Sequence, residues 1–220
     1  MDCIYLAAGL GVRMRKRIPK QFLNIYGKPI MIYALEVLEK ISGIERIFIT
    51  YHQDFRKDYE RVIEDYNISK CILIEGGETR QESVWNALQM VESERVIIHE
   101  AARPFITAEF VSELMEIDEK AVVPTIPVPF TVSMGNEYMT AELDRSKLHN
   151  IQLPQIFDTD ILVRAHKKAM EEGYIATEDG ILVFRLGEKV RFVKGLENNI
   201  KITTPLDLVI AENLLRGIEI

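Results

Sequence analysis

A chain of 220 residues, 47% hydrophobic and 28% charged, can bury a continuous core and does not have the composition of a disordered chain. Its formal net charge of −7 excludes a general nucleic-acid or anionic-membrane surface, because such binding rests on summed positive charge, so any polyanion has to be met locally. No stretch approaches the roughly 18 apolar residues of a membrane span, "MDCIYLAAG" lacks the basic start and apolar length of a signal peptide, and the expected setting is the cytoplasm.

The first β-rich run, "CIYLA" at 3–7, passes directly into a glycine-bearing cationic stretch, "LAAGLGVRMRKRIPKQF" at 6–22. Segment 29–41 places Ile30, Tyr33, Ala34, Val37, Leu38 and Ile41 at helical spacing. A second strand, "RIFITY" at 46–51, precedes "DFRKDYERVIEDYN" at 54–67, a helix whose alternating charges predict a mostly solvated face. Strand "CILIE" at 71–75, a helix over 80–91 carrying Val84, Leu88 and Val91, and strands "RVIIH" at 95–99 and "KAVVPTI" at 120–126 continue the rhythm. This alternation predicts an α/β fold with a mainly parallel sheet.

After Ile126 the rhythm breaks. Residues 127–157 hold three prolines, a Gly-Asn turn signal and no helical period, and a plain loop of that length is rare inside a compact domain, so a protruding hairpin or arm is expected. Helices follow near 158–172 and 177–186, then a strand at 190–193 and a last βα unit whose strand carries Lys201. Thr204, Pro205 and Asp207 form the start of the closing helix, and Gly217 lies past its end. The whole chain, 1–220, reads as one domain with the arm inserted. Cys3 and Cys71 sit far apart in apolar runs, offering neither a redox pair nor a zinc cluster.

In open α/β sheets ligands bind where strands end, so a glycine loop after the first strand is where phosphates are expected. Gly9 and Gly11 leave room for backbone N–H groups to approach anionic oxygens. The loop is not a dinucleotide fingerprint, because Met14 stands where the third glycine belongs, and no GKS or GKT follows. Arg13 and the Lys20 of "PKQF" add fixed cations, which suit a triphosphate whose charge grows during attack on its α-phosphorus. Arg15, Lys16 and Arg17 are read as solvated. By residue chemistry alone, "EGGETRQESV" at 75–84 is a strand-to-helix turn with a capping serine, "HEAARPF" at 99–105 a salt-bridged strand end, and Lys201 an edge-strand lysine.

Five segments, "LAAGLGVRM…PKQF" at 6–22, "EGGETRQESV" at 75–84, "IIHEAARPF" at 97–105, "DR…QLPQIF" at 144–157 and "NIKITTPLDL" at 199–208, together resemble the 2-C-methyl-D-erythritol 4-phosphate cytidylyltransferases and the related ribitol-5-phosphate cytidylyltransferases. The resemblance spans nearly the whole chain. It implies a Rossmann-like nucleotidyltransferase sandwich, a protruding β-arm used for homodimerisation, and transfer of CMP from CTP to a phosphorylated polyol with Mg²⁺ and release of pyrophosphate. Arg13, Lys20 and Lys201 would be the catalytic cations. Ala7, Ala8, Gly9, Gly11, Gly77, Glu78 and Ser83 would hold the nucleotide. Glu100, Arg103, Thr131 and Arg145 would meet the acceptor, the last two from the partner subunit's arm, with Glu100 also the candidate metal ligand. Arg80 is read as bracing its own loop, and His99 as a packed residue rather than a base.

The chain departs from the methylerythritol enzymes in four places. Glu100 stands where the family normally has aspartate, Phe130 and Ser133 replace the family's aspartate and lysine around Thr131, and Leu153 replaces a threonine before Pro-Gln. The ribitol-phosphate relatives also lack that lysine, so ribitol phosphate or another sugar phosphate or phosphonate stands as an alternative acceptor. A non-catalytic nucleotide-binding module and an NAD-dependent oxidoreductase are the more distant alternatives.

Overall fold

The structure, a computed structural model, describes residues 1–11 and 18–217. In chain order its elements are β1 (Asp2–Leu6), a small hairpin of β2 (Asn24–Ile25) and β3 (Lys28–Pro29), α1 (Ile30–Lys40), β4 (Ile47–Tyr51), α2 (Arg56–Asp65), β5 (Cys71–Glu75), α3 (Arg80–Leu88) and β6 (Arg95–Glu100). There follow α4 (Ala108–Glu116), β7 (Ala121–Pro127), β8 (Ser133–Gly135), β9 (Met139–Glu142), β10 (His149–Ile151), β11 (Gln155–Asp158), α5 (Thr159–Glu171), α6 (Asp179–Leu186), β12 (Arg191–Lys194) and α7 (Pro205–Leu215).

Among the described residues the main sheet runs β10-β7-β11-β6-β1-β4-β5, with β12 also paired to β7. β6, β1, β4 and β5 are parallel to one another, as is β12 to β7, whereas β10 and β11 run antiparallel to the strands they join. The apolar runs are continuous because both faces of the sheet are covered. Cys3, Tyr5, Ile47, Ile49 and Ile97 pack with α1, α2 and α4 on one side. Their neighbours Ile4, Leu6, Phe48, Val96 and Ile98 pack with α3, α5 and α6 on the other. A third, smaller cluster joins Ile25 and Ile30 to Ile202 and Ala211 of the C-terminal segment.

Three differences from the sequence reading stand out. The expected arm, 127–157, is shorter: β10 and all but the last residue of β11 fall inside that range but return to the main sheet, where Ile156 and Phe157 are fully buried. The prolines that break helical periodicity there do not prevent short antiparallel strands. What projects is the stretch built around the β8–β9 hairpin, where Gly135 ends β8 and Asn136 opens the turn. Helix α4 was not anticipated, although Thr107 caps it and Phe110, Val111 and Leu114 give it a buried stripe. Lys201 lies in the connection ahead of α7 and not in a strand. The highly charged α2 is mostly exposed, but Tyr59 and Val62 anchor it to the core.

Candidate active site

The C-terminal ends of β1, β4, β5 and β6 open into a cleft of about 520 Å³. The chain leaving β1 is pinned in two places. The amide of Ala7 donates to Thr50 Oγ1 at 3.2 Å, and the Ala7 carbonyl accepts from both Tyr59 Oη and Gln21 Nε2, each at 2.5 Å. Tyr59 and Gln21 are themselves buried, so the glycine loop starts from a rigid point. Gly11 has φ +65, and a Cβ there would stand 3.0 Å from Lys20 Cγ. Glycine therefore serves both the left-handed backbone and the passage of the Lys20 side chain beneath it.

Lys20 leaves a short 3₁₀ turn, Lys20–Phe22, and its ammonium donates to the Ile202 carbonyl at 2.9 Å. That carbonyl belongs to the residue after Lys201, so Lys20 is tied to the backbone beside Lys201, and both lysines line the cleft. Lys201 Nζ lies 2.5 Å from Glu100 Oε2, and Arg80 Nε donates to Glu100 Oε1 at 3.0 Å. Burial alone would push the Glu100 carboxyl up, but Lys201 and Arg80 outweigh it and hold the group down at about 2. The carboxylate is thus a fixed negative charge between two cations.

The second wall comes from the turn between β5 and α3. Thr79 caps α3 through a capping box: its Oγ1 accepts from Glu82 N at 3.0 Å, and Glu82 Oε2 accepts from Thr79 N at 3.2 Å. The capping residue is Thr79 and not Ser83. Ser83 Oγ instead accepts from Gly77 N at 3.1 Å and donates to Thr79 O at 3.0 Å, which closes the glycine turn against the helix. A Cβ on Gly77 would stand 2.3 Å from Glu82 Cβ, so no side chain fits there.

Of the residues singled out from the sequence, the cleft brings together Ala7, Ala8, Gly9, Gly11, Lys20, Gly77, Glu78, Ser83, Glu100 and Lys201. Arg13 lies outside the described residues. Arg103 is buried and does not line the cleft: it donates to Asn199 O at 2.8 Å and Ile151 O at 3.2 Å, tying the Lys201 segment to β10. Thr131 and Arg145 are exposed on the arm, with Arg145 Nη1 donating to Pro129 O at 2.9 Å, and neither lines the cleft of its own chain. His99 is wholly buried, its Nε2 paired with Arg103 O at 2.9 Å, and burial lowers it to about 4, as suits a packed neutral imidazole. Leu153 is fully buried in the core.

The sequence reading missed several contributors. Gln21 lay in plain view within "PKQF", and its glutamine is there to hold the β1 exit. Thr50 and His52 line the cleft from the end of β4. Arg80 does more than brace its own loop, since it also faces Glu178 and Asp179 at the start of α6. Among the described residues no group of three or more metal-ligating side chains converges. A divalent ion here would have to draw its oxygens from a bound phosphate chain and from Glu100, the carboxylate on the cleft floor, a pattern magnesium accepts.

Residues 1–217 match the family described as IspD, 2-C-methyl-D-erythritol 4-phosphate cytidylyltransferase. The enzyme of that name from Caldanaerobacter subterraneus subsp. tengcongensis is 38% identical over 98% of this chain and 99% of its own length. That from Bacillus cytotoxicus is 39% identical over 95% of each. Among solved structures, the 4-diphosphocytidyl-2C-methyl-D-erythritol synthase of Anaerococcus prevotii superposes with a TM-score of 0.86 at 26% identity, covering 98% of this chain and 95% of that one.

Proposed function

The chain belongs to the IspD family of 2-C-methyl-D-erythritol 4-phosphate cytidylyltransferases, and from that premise we propose that it transfers CMP from CTP to 2-C-methyl-D-erythritol 4-phosphate and releases pyrophosphate. The observation that carries this reading is the convergence of the glycine loop, Lys20, Lys201 and Glu100 on one cleft at the strand ends. Cytosine would sit against Ala7, Ala8, Gly77, Glu78 and Ser83, and the triphosphate would lie along Gly9 and Gly11. An acceptor phosphate oxygen would attack the α-phosphorus in line with the departing pyrophosphate. That oxygen is already ionised near neutral pH, so no general base is needed, and catalysis is positioning plus charge compensation. Lys20 and Lys201, with Arg13, supply that compensation.

Magnesium fits the remaining chemistry. Phosphate oxygens and Glu100 would hold it, and it would neutralise charge on the leaving pyrophosphate. Thr131 and Arg145 would reach the acceptor of a second subunit, with Arg103 behind them ordering the Lys201 segment. The projecting arm supports a homodimer, because Phe130, Tyr138 and Met139 on it are exposed at 78%, 81% and 73%, an arrangement more readily explained by a covering partner than by solvent. A cytoplasmic setting suits an enzyme that draws on CTP, and no helix among the described residues is long and apolar enough to cross a membrane.

A second acceptor is favoured by one observation: Phe130 and Ser133 stand where the methylerythritol enzymes place aspartate and lysine. The test is direct. Purified protein with CTP and Mg²⁺ is offered methylerythritol phosphate, ribitol phosphate and glycerol phosphate in turn, with pyrophosphate measured. Release with methylerythritol phosphate alone is the expected result; release only with ribitol phosphate reassigns the acceptor, and none with any acceptor overturns the transferase reading.

A further inference from the structure

Arg80, in the first turn of α3, is gripped by carboxylates from two other elements. Its Nη1 lies 2.8 Å from Asp179 Oδ2, its Nη2 lies 3.3 Å from Glu178 Oε2, and its Nε donates to Glu100 Oε1 at 3.0 Å. Asp179 is fixed from behind, since its Oδ1 stands 3.0 Å from His166 Nε2 and both side chains are buried. The imidazole in turn stacks on Trp85. Glu178 accepts from Gln155 Nε2 at 3.1 Å. A guanidinium is a rigid planar fork. Anchoring two of its nitrogens on α6 therefore sets the direction in which the third presents its proton to Glu100.

The two cations on Glu100 differ in kind. The Lys201 side chain is 33% exposed and its ion pair is with Glu100, whereas Arg80, 22% exposed in the same cleft, is also tied into the fold by the α6 carboxylates. A buried carboxylate stripped of its last cation is strongly unfavourable. Lys201 alone on Glu100 could not leave for a phosphate without incurring that penalty.

We propose that Arg80 is a positioning residue: held by Asp179 and Glu178, it keeps Glu100 paired and in place, so that Lys201 is free to exchange Glu100 for a phosphate oxygen when a triphosphate arrives. The inference rests on the transferase reading only for the identity of that triphosphate. The experiment measures binding of CTP and of inorganic triphosphate by calorimetry without divalent cation. It compares wild type, Arg80→Met, Asp179→Asn and each of these combined with Glu100→Gln.

With Arg80 gone Lys201 is locked on Glu100, so Arg80→Met weakens both ligands by about tenfold, the size of one lost charge-assisted contact. Asp179→Asn, which lies outside the cleft and leaves the guanidinium in place, acts in the same direction and more weakly. Glu100→Gln releases Lys201 and restores triphosphate affinity in either background, without restoring turnover. Restoration is the readout that a merely structural role for Arg80 does not produce. If Arg80→Met or Asp179→Asn, folded by circular dichroism, binds as wild type does, or if Glu100→Gln rescues neither, the proposal is overturned. Should Arg80→Met not fold, the Asp179→Asn pair decides alone. Wild type that binds inorganic triphosphate but not CTP overturns the cytidylyl reading and leaves this test intact.

Discussion

The ammonium of Lys20 donates to the carbonyl of Ile202 at 2.9 Å, one residue beyond Lys201, so a lysine from the first loop is tied to the backbone that carries a lysine from the last connection, and both line the cleft. Ile202 is fully buried in a cluster with Ile25, Ile30 and Ala211. The C-terminal segment thus brings Lys201 to the glycine loop by burying the residue next to it, and α7, capped by Thr204 and Asp207, fixes where that segment ends.

Replacement of Lys20 by alanine removes a cation from the triphosphate and a link to Ile202 together. Turnover is expected to fall about 10²-fold or more, the scale of losing one preorganised electrostatic contact to the transition state. Losing the side-chain to backbone bond to Ile202 contributes about 1 kcal/mol to any drop in stability. Steady-state kinetics beside thermal unfolding separate the two, and a kcat close to wild type in a folded variant removes Lys20 from the catalytic set.

Arg145 makes the opposite split. It is exposed and outside the cleft of its own chain, so Arg145→Ala is expected to raise the KM for the acceptor while CTP binding and unfolding temperature hold. The same variant mixed with a Lys20→Ala chain should regain activity if sites are completed across subunits, because one site of the mixed dimer then has both intact side chains. No gain on mixing would place Arg145 outside the partner's site.

Much of the scaffold could be read from the amino acids because both faces of the sheet are covered, which writes each central strand as an unbroken apolar run bounded by turns. The cationic glycine loop with Lys20 could be read from its own residues, because it follows the first strand directly, whereas Gly77, Glu100 and Lys201 are singled out only by the resemblance; all of them line the cleft. Three things could not be read. Strand β11 is only Gln155–Asp158 and follows directly on Pro154, so its two-residue period is too short to stand out. The segment at Lys201 has the apolar alternation of a strand but joins no sheet, its Ile202 amide donating to Ala102 O at 2.8 Å beside the end of β6, which no local pattern reveals. The ion cluster joins Arg80 to Glu100, Glu178 and Asp179 from three separate segments, and charge pairing at that separation leaves no periodic trace.

The grip on Ala7 offers a test of how the loop is held. Tyr59 Oη and Gln21 Nε2 both donate to the Ala7 carbonyl, and Gln21 also donates to Tyr59 Oη at 2.5 Å. Tyr59→Phe keeps the ring against Phe22 and Tyr51 and removes only the hydroxyl, leaving Gln21 with one fewer partner in a buried site. Gln21 and the Ala7 carbonyl stay paired with each other, so the loss is that of the hydroxyl's own hydrogen bonds, about 1 kcal/mol, seen as a lower unfolding temperature, with weaker CTP binding as the β1 exit loosens. Gln21→Leu should cost at least as much, because it leaves both the tyrosine hydroxyl and the carbonyl short of a partner. An unchanged unfolding temperature in Tyr59→Phe would mean that the hydroxyl contributes nothing to the loop.

Acid should unfold this protein in two stages, and the groups responsible can be told apart. Burial lowers His99 from 6.5 to about 4, so the folded state refuses a proton that the unfolded chain accepts. Stability is therefore full above 6.5 and falls as pH drops toward 4. Glu100 and Asp179 act lower down: burial would raise both, but Lys201 and Arg80 hold Glu100, and Arg80 and His166 hold Asp179, at about 2 each. Their stabilisation is present above the unfolded values of 4.5 and 3.8 and is lost as pH falls from there toward 2. Glu178 works against this, because burial raises it despite Arg80, and its protonation relieves a cost instead of adding one. Urea midpoints measured across the range should thus decline first between 6.5 and 4 and then steeply below 4.5. His99→Gln, which can still donate to the Arg103 carbonyl, should flatten the first limb and leave the second in place. A first limb that persists unchanged in that variant assigns the loss to another group and removes His99 from the account.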